Sequence, residues 1–225
     1  MEQRERVIIV SVQTTQTDED FAYANQELAQ LVDTAMGEVV ATVTQKRESI
    51  SGRTLVGKGK VEEISHLVEE LEVDLVVFYQ SLTGSMVKNL NESINCRIID
   101  RVQLILDIFA MRARSKEGKL QVQLAQLNYL LPRLSGQREG LSRQGGGIGT
   151  RGPGETRLET DRRYIRKQIQ DIEEQLEQIK KHRERSREKR KSSNGFQLGL
   201  IGYTNAGKST ILNQLTQAGT YQMDQ

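Results

Sequence analysis

Four short apolar runs alternate with segments of helical periodicity through the first hundred residues, and this alternation constrains the chain more than any other feature. The runs are RVIIVSV (6–12), VVATVTQ (39–45), DLVVFYQ (74–80) and CRIID (96–100). Between them, helical patterns occupy Glu19–Met36, VEEISHLVEEL (61–71) and Ser85–Ile94. A strand that is apolar on consecutive residues must be covered on both faces, and a parallel sheet with crossover helices does this. The expected fold class is therefore α/β, with a small, mostly parallel four-stranded N-terminal domain over residues 1–110.

The rhythm then changes. Leu120, Leu124, Leu127, Leu131 and Leu134 step by 4, 3, 4 and 3, the a/d seam of a coiled coil. Pro132 does not suit a helix interior, so regular helix is expected to end close to Leu131. A second seam runs through Leu158, Ile165, Ile169, Ile172, Leu176 and Ile179. Burying one such side chain is worth about 1.5–3 kcal/mol, so neither stripe should face water. Joined by about twenty residues, the helices can pair with each other as an antiparallel hairpin over 111–193, with a Gly/Arg-rich tip loop at 136–154. Dimerisation through the second helix is the competing use of the same stripe; the chain is expected to be monomeric.

Charge divides the chain in the same place. Residues 1–110 hold 10 Lys+Arg against 18 Asp+Glu, whereas 111–225 hold 22 against 12. A basic second half points to a polyanionic partner. The single cysteine, Cys96, excludes an internal disulfide framework, and no apolar run is long enough to span a membrane. The start, MEQRERVIIV, does not read as a signal peptide, and a cytoplasmic protein is expected.

Three glycine patterns invite a nucleotide reading, and context separates them. Gly202-Tyr203-Thr204-Asn205-Ala206-Gly207-Lys208-Ser209 matches G-x-x-x-x-G-K-[ST] between an expected strand, FQLGLIG (196–202), and a helical pattern, STILNQLTQ. In such a loop backbone N–H groups face phosphate oxygens, the helix dipole favours the anion, Lys208 reaches the β and γ phosphates, and Ser209 ligates Mg²⁺. The candidate nucleotide residues are Gly202, Tyr203, Thr204, Asn205, Ala206, Gly207, Lys208, Ser209 and Thr210, with Lys208 the candidate catalytic residue and Ser209 the candidate metal ligand. By contrast, Gly147-x-Gly149-x-x-Gly152 follows a leucine-seamed helix and no strand, so it is not read as a dinucleotide site. Gly57-Lys58-Gly59-Lys60 is a weaker match, read first as a basic turn leading into the helix at 61.

Glycines that serve no packing purpose allow a backbone to approach a crowded surface. Arginines beside them offer planar contacts to phosphates and bases. Arg138, Arg143, Gly147, Gly149, Arg151, Gly152 and Arg157 are accordingly candidate RNA-binding residues, with a loop that orders on binding.

The motifs GYTNAGKST, GGIGTRGPGE followed by LETDRR, RTLVGKGKVEEI (53–64) and RVQLILDIFAMRARSKEGKLQVQLAQLNYLLPRL (101–134) together resemble the HflX family of translation-factor-like GTPases. The resemblance covers the chain from the first strand to Gln225. It implies an α/β domain, a helical hairpin and the first strand, P-loop and helix of a Ras-like G domain over 196–225. It also implies GTP and Mg²⁺ as ligands, binding to the large (50S) ribosomal subunit, and GTP-linked separation of 70S ribosomes, with the Gly/Arg loop on ribosomal RNA near the peptidyl-transferase centre. Sixteen residues follow Ser209 and contain no D-x-x-G or N-K-x-D element, so the sequence reads as the N-terminal portion of a longer GTPase, inactive in hydrolysis by itself. The alternatives are an RNA-binding module on the ribosome without a nucleotide-driven step, and an ATP-using RNA remodeller with a second nucleotide site around Gly57–Lys60.

Overall fold

The computed structural model describes residues 4–50, 52–134, 153–192, 198–203 and 206–216. Four strands, β1 (Glu5–Gln13), β2 (Gly37–Lys46), β3 (Leu75–Phe78) and β4 (Arg97–Asp100), alternate with α1 (Asp18–Thr34), α2 (Lys58–Glu70) and α3 (Gly84–Ser93). The sheet order is β2-β1-β3-β4 and every pairing is parallel. The α/β expectation holds, and each apolar run is a strand. A bulge at Val40, where Val7 pairs with Val39 and Ile8 with Ala41, accommodates one extra residue in β2.

Period-2 alternation sorts the strand residues onto two cores. Ile8, Val10, Val12, Val76, Phe78 and Ile98 face one side, against Ile64 of α2 and Leu90 of α3. Val7, Ile9, Leu75, Val77 and Ile99 face the other, against Leu28 and Val32 of α1. Right-handed crossovers require this division, because the β1→β2 connection runs one way along the sheet and the next two run the other. β1 and β3 are buried on both faces because they lie at the centre.

Helix starts follow side-chain chemistry. Thr17, Thr83 and Asp100 accept from the backbone N–H three residues on, and so open α1, α3 and a helix missing from the sequence reading, α4 (Arg101–Arg112). α4 follows β4 without a loop and places Leu104 and Ile108 in the α1-side core. It carries the α/β part to Arg112. α2 starts at Lys58, three residues before the expected 61, with Gly57 as a cap that has no side chain to offer.

α5 (Lys116–Arg133) opens on Ser115, which accepts from Gly118 N–H. It ends at Arg133, two residues past Leu131. Pro132 lies inside it, and Leu134 N–H still donates to Leu130 at 3.2 Å. In the last turn the imide removes only one ladder bond, and the contacts of Arg133 described below hold the turn in place. The leucine row of α5 is half-buried throughout, and α6 (Pro153–Ser192) buries Ile165 and Ile172 with Ile169, Leu176 and Ile179 partly covered. Both seams therefore face protein. The chain divides into one unit over Met1–Ile179 and a second over Lys180–Gln225, and the isoleucine seam ends where the first unit ends. Among the described residues no helix is long and apolar enough to cross a membrane.

Candidate functional site

In the second unit α7 (Lys208–Thr216) begins directly after the phosphate-loop motif. Ala206 N–H donates to Tyr203 C=O at 3.3 Å and closes a turn, and Ile211 N–H donates to Gly207 C=O at 3.0 Å as the first helical bond. Gly207 has φ +76, a left-handed conformation that costs a residue bearing a Cβ about 1–2 kcal/mol. That glycine is required by the turn. Gly202 is not: a Cβ there would make ordinary contacts of 3.6 Å with Lys208 and 3.7 Å with Ala206.

The first turn of α7 has no acidic residue to occupy its free N–H groups. The Lys208 ammonium bends back and donates to Tyr203 C=O. An anionic oxygen at that place would replace a neutral acceptor by a charged one, a bond roughly twice as strong. Gly207, the Lys208 ammonium and the N-terminus of α7 thus lie within one turn of each other, an arrangement that would favour an anion. Ser209, second in the helix and exposed, suits a Mg²⁺ held mostly by water and phosphate oxygens, which needs only one or two protein ligands. Among the described residues no group of three or more His, Cys, Asp or Glu side chains offers a metal cage.

The strand expected over 196–202 is not paired: the described residues 198–203 have no ladder partner, and Ile201 and Tyr203 are 98% and 93% exposed. A strand exists through its neighbours, and none is present beside this one among the described residues. Thr204 and Asn205 lie outside the described residues, as do Arg138, Arg143, Gly147, Gly149, Arg151 and Gly152. Arg157 is on α6 by its backbone, and its side chain is not described.

Sequence reading missed a second constellation, which anchors α5 just before the Gly/Arg-rich segment. Asp100, 1% exposed, ends β4 and caps α4, and one carboxylate gathers four donors. Leu82 N–H reaches it at 2.9 Å, Gln103 N–H at 3.0 Å, Arg133 Nη2 at 2.9 Å, and the Tyr129 hydroxyl completes the set. Arg133 also donates from Nε to Leu82 C=O and from Nη1 to Tyr129 C=O, each at 3.0 Å, and its guanidinium lies 3.3 Å from the Tyr129 ring centroid. Burial, and then the bond to Asp100, pushes the Tyr129 phenol far above its usual range. Nearby, burial raises the Asp107 carboxyl against the opposing bond from Gln126. Gly84 belongs to the same clasp: a Cβ there would lie 2.0 Å from the Arg133 carbonyl oxygen. The one available signal was an aspartate closing an apolar strand with a helical pattern directly after it.

Comparison with known proteins covers nearly all of the chain. Residues 22–110 match the family described as GTP-binding GTPase N-terminal, 112–190 the GTP-binding GTPase middle region, and 197–225 the 50S ribosome-binding GTPase family. The chain is 60% identical over 221 residues to GTPase HflX of Alkalihalophilus pseudofirmus, covering 98% of this chain and 52% of that protein. Against GTPase HflX of Escherichia coli it is 45% identical over 221 residues, with 98% and 51% covered. It spans about half the length of these relatives. Among solved structures, a GTP-binding protein from Sulfolobus solfataricus in complex with GDP shares the fold, with a TM-score of 0.53 at 22% identity over 95% of this chain and 53% of that one. A structure described as SsGBP with GDP gives 0.56 at 23% identity, over 95% and 56%.

Proposed function

The chain belongs to the HflX GTPase family, and from that premise we propose that it is the large-subunit-binding portion of a GTPase that separates 70S ribosomes. The observation that carries the reading is one continuous likeness, α/β unit through phosphate loop, to proteins named as GTPases, the last segment matching a family described as 50S ribosome-binding. The site residues have separate tasks. The N–H groups around Gly207 and at the start of α7 bind the β and γ phosphates of GTP, and Lys208 leaves the Tyr203 carbonyl to pair with them. Ser209 offers its hydroxyl to the metal. Bound Mg²⁺ neutralises charge on the phosphate oxygens.

The Gly/Arg segment is assigned to ribosomal RNA, near the peptidyl-transferase centre. Arg138, Arg143, Arg151 and Arg157 make bidentate phosphate contacts, and Gly147, Gly149 and Gly152 admit close backbone approach. The clasp holds the end of α5 against β4 and so sets where that segment leaves the α/β unit. The protein acts in the cytoplasm, where ribosomes are.

Two experiments test this. Co-sedimentation of the chain with separated 50S and 30S subunits, beside a variant lacking residues 142–154, should give binding to 50S only, weakened by the deletion. In a full-length protein, Lys208→Ala should abolish GTP hydrolysis and splitting. Equal binding by residues 1–195 and the full-length protein, with or without GTP, would instead favour an RNA-binding module with no nucleotide step.

A further inference from the structure

At the carboxyl edge of the α/β sheet, a cavity of about 550 Å³ opens between the end of β2 and the start of α2. Parallel sheets bind ligands at this edge, where helix N-termini converge. Arg47 directly follows β2, its N–H bonded to Gln13 C=O at 2.9 Å. Its Nη1 is buried and has no hydrogen-bond partner among the described residues. That atom lies 3.7 Å from where a Cβ of Gly57 would be, against the cap of α2. A guanidinium pressed on the positive end of a helix is a repulsive arrangement, and a buried unpaired donor adds a desolvation cost. An anion in the cleft beside them would offset the repulsion and draw the guanidinium outward to pair with it.

The surroundings agree. Gly57 gives α2 no side-chain cap, and the first turn has no acidic residue. Gln45 Oε1 takes the Gly57 N–H at 2.9 Å, and the Lys60 and Val61 N–H groups bond to Gly57 C=O at 3.0 Å, which leaves those of Lys58 and Gly59 without an intrahelical partner at the start of the helix. Lys58 and Arg53 stand at the rim, and the one acidic lining residue, Glu92, is bridged by Lys88 at 3.8 Å. The loop that forms the wall is held in place. Leu55 and Val56 are buried at 1% exposure, Leu55 with φ 66, and Asn89 binds Arg53 C=O at 3.0 Å.

We propose that the cleft between Arg47 and the N-terminus of α2 is a phosphate-binding site, and that its occupant is a phosphodiester of structured RNA. Among the described residues lining the cleft none is aromatic, so a nucleobase would find no stacking partner. The open, basic rim suits a polymer backbone passing across it. The site extends RNA contact from the Gly/Arg segment to the α/β unit. Its test uses free RNA and no ribosome, so its failure and that of the ribosome reading can be told apart.

The test measures fluorescence anisotropy of a labelled A-form RNA duplex across a salt series, with thermal melts of each variant. Because Arg47 Nη1 is unpaired, Arg47→Met should leave the melting temperature unchanged or raise it. It should also weaken RNA binding by about tenfold and flatten the salt slope by about one. Lys58→Gln, at an exposed position, should weaken binding without touching stability, while Arg4→Gln, paired with Asp33 before β1, should change neither. A lower melting temperature for Arg47→Met with RNA affinity intact makes Arg47 a structural residue and overturns the proposal. So does Lys58→Gln binding RNA like the parent, or Arg4→Gln losing as much as Lys58→Gln. Titration with pyrophosphate and ATP, read at the Gly59 amide by NMR, covers the other source of phosphate: saturation there with no response to RNA would assign the cleft to a small phosphate compound instead.

Discussion

Substitution of Arg133 by methionine tests the clasp most directly. The side chain joins α5 to the end of the sheet through Asp100 Oδ2 at 2.9 Å and the Leu82 carbonyl at 3.0 Å, with the carboxylate fully buried. Methionine keeps the aliphatic stem and removes the cation, so Asp100 stays as a buried charge. Breaking a buried pair from one side costs about 3–5 kcal/mol. Asp100 retains two backbone N–H groups and the Tyr129 hydroxyl, which sets the expectation at the lower end, about 3 kcal/mol. For a chain of this size that is a fall of about 6–12 °C in melting temperature by circular dichroism. Asp100→Asn alone should also destabilise, since one amide end meets donors. In the double variant the stranded charge is gone, so its loss should be smaller than the sum of the singles by about 1–3 kcal/mol. The reasoning is refuted if Arg133→Met costs under about 1 kcal/mol, or if the two losses add to within about 0.5 kcal/mol.

Three further outcomes are expected. Gly84→Ala should lose about 2 kcal/mol in urea unfolding, although helix propensity alone would credit alanine with up to about 1 kcal/mol, because the new Cβ meets the Arg133 carbonyl at 2.0 Å. Ile172→Ala should cost about 2–4 kcal/mol and Ile169→Ala clearly less, since Ile172 is 4% exposed and Ile169 only partly covered; equal losses would contradict the seam. The raised Tyr129 phenol gives a pH signature. The folded state holds that proton more tightly than the unfolded chain, so stability should be level below the ordinary phenol value of about 10 and fall as pH rises past it. Urea midpoints on either side of that pH should separate in the parent and converge in Tyr129→Phe.

What the sequence determined by itself is local or periodic. Continuous apolar runs require cover on both faces, which made the four runs legible as strands of a parallel sheet, while the placing of β1 and β3 at its centre came from the fold. The 4-3 spacing of Ile165, Ile169 and Ile172 marked a buried stripe because side chains three and four apart share a helix face. The phosphate-loop spacing marked a turn at a helix start before Lys208, and the structure puts Gly207 there at φ +76, where a Cβ is penalised. Tertiary structure decided what depends on partners far apart in the chain. α5 passes through Pro132 because Arg133 is anchored to Asp100, thirty-three residues earlier, and those bonds outweigh one missing ladder bond. The reverse case is FQLGLIG, which has the composition of a strand and stays unpaired where described, because hydrogen bonding to a neighbour is what makes an extended segment a strand. Gly57 belongs to a glycine pattern that reads as a basic turn, but nothing in the spacing ties it to Arg47 ten residues earlier, and only the fold sets the buried Nη1 of Arg47 beside the positive end of α2. Spacing can predict a face or a turn, because both are properties of a few consecutive residues. Which charges meet is settled by the path of the whole chain.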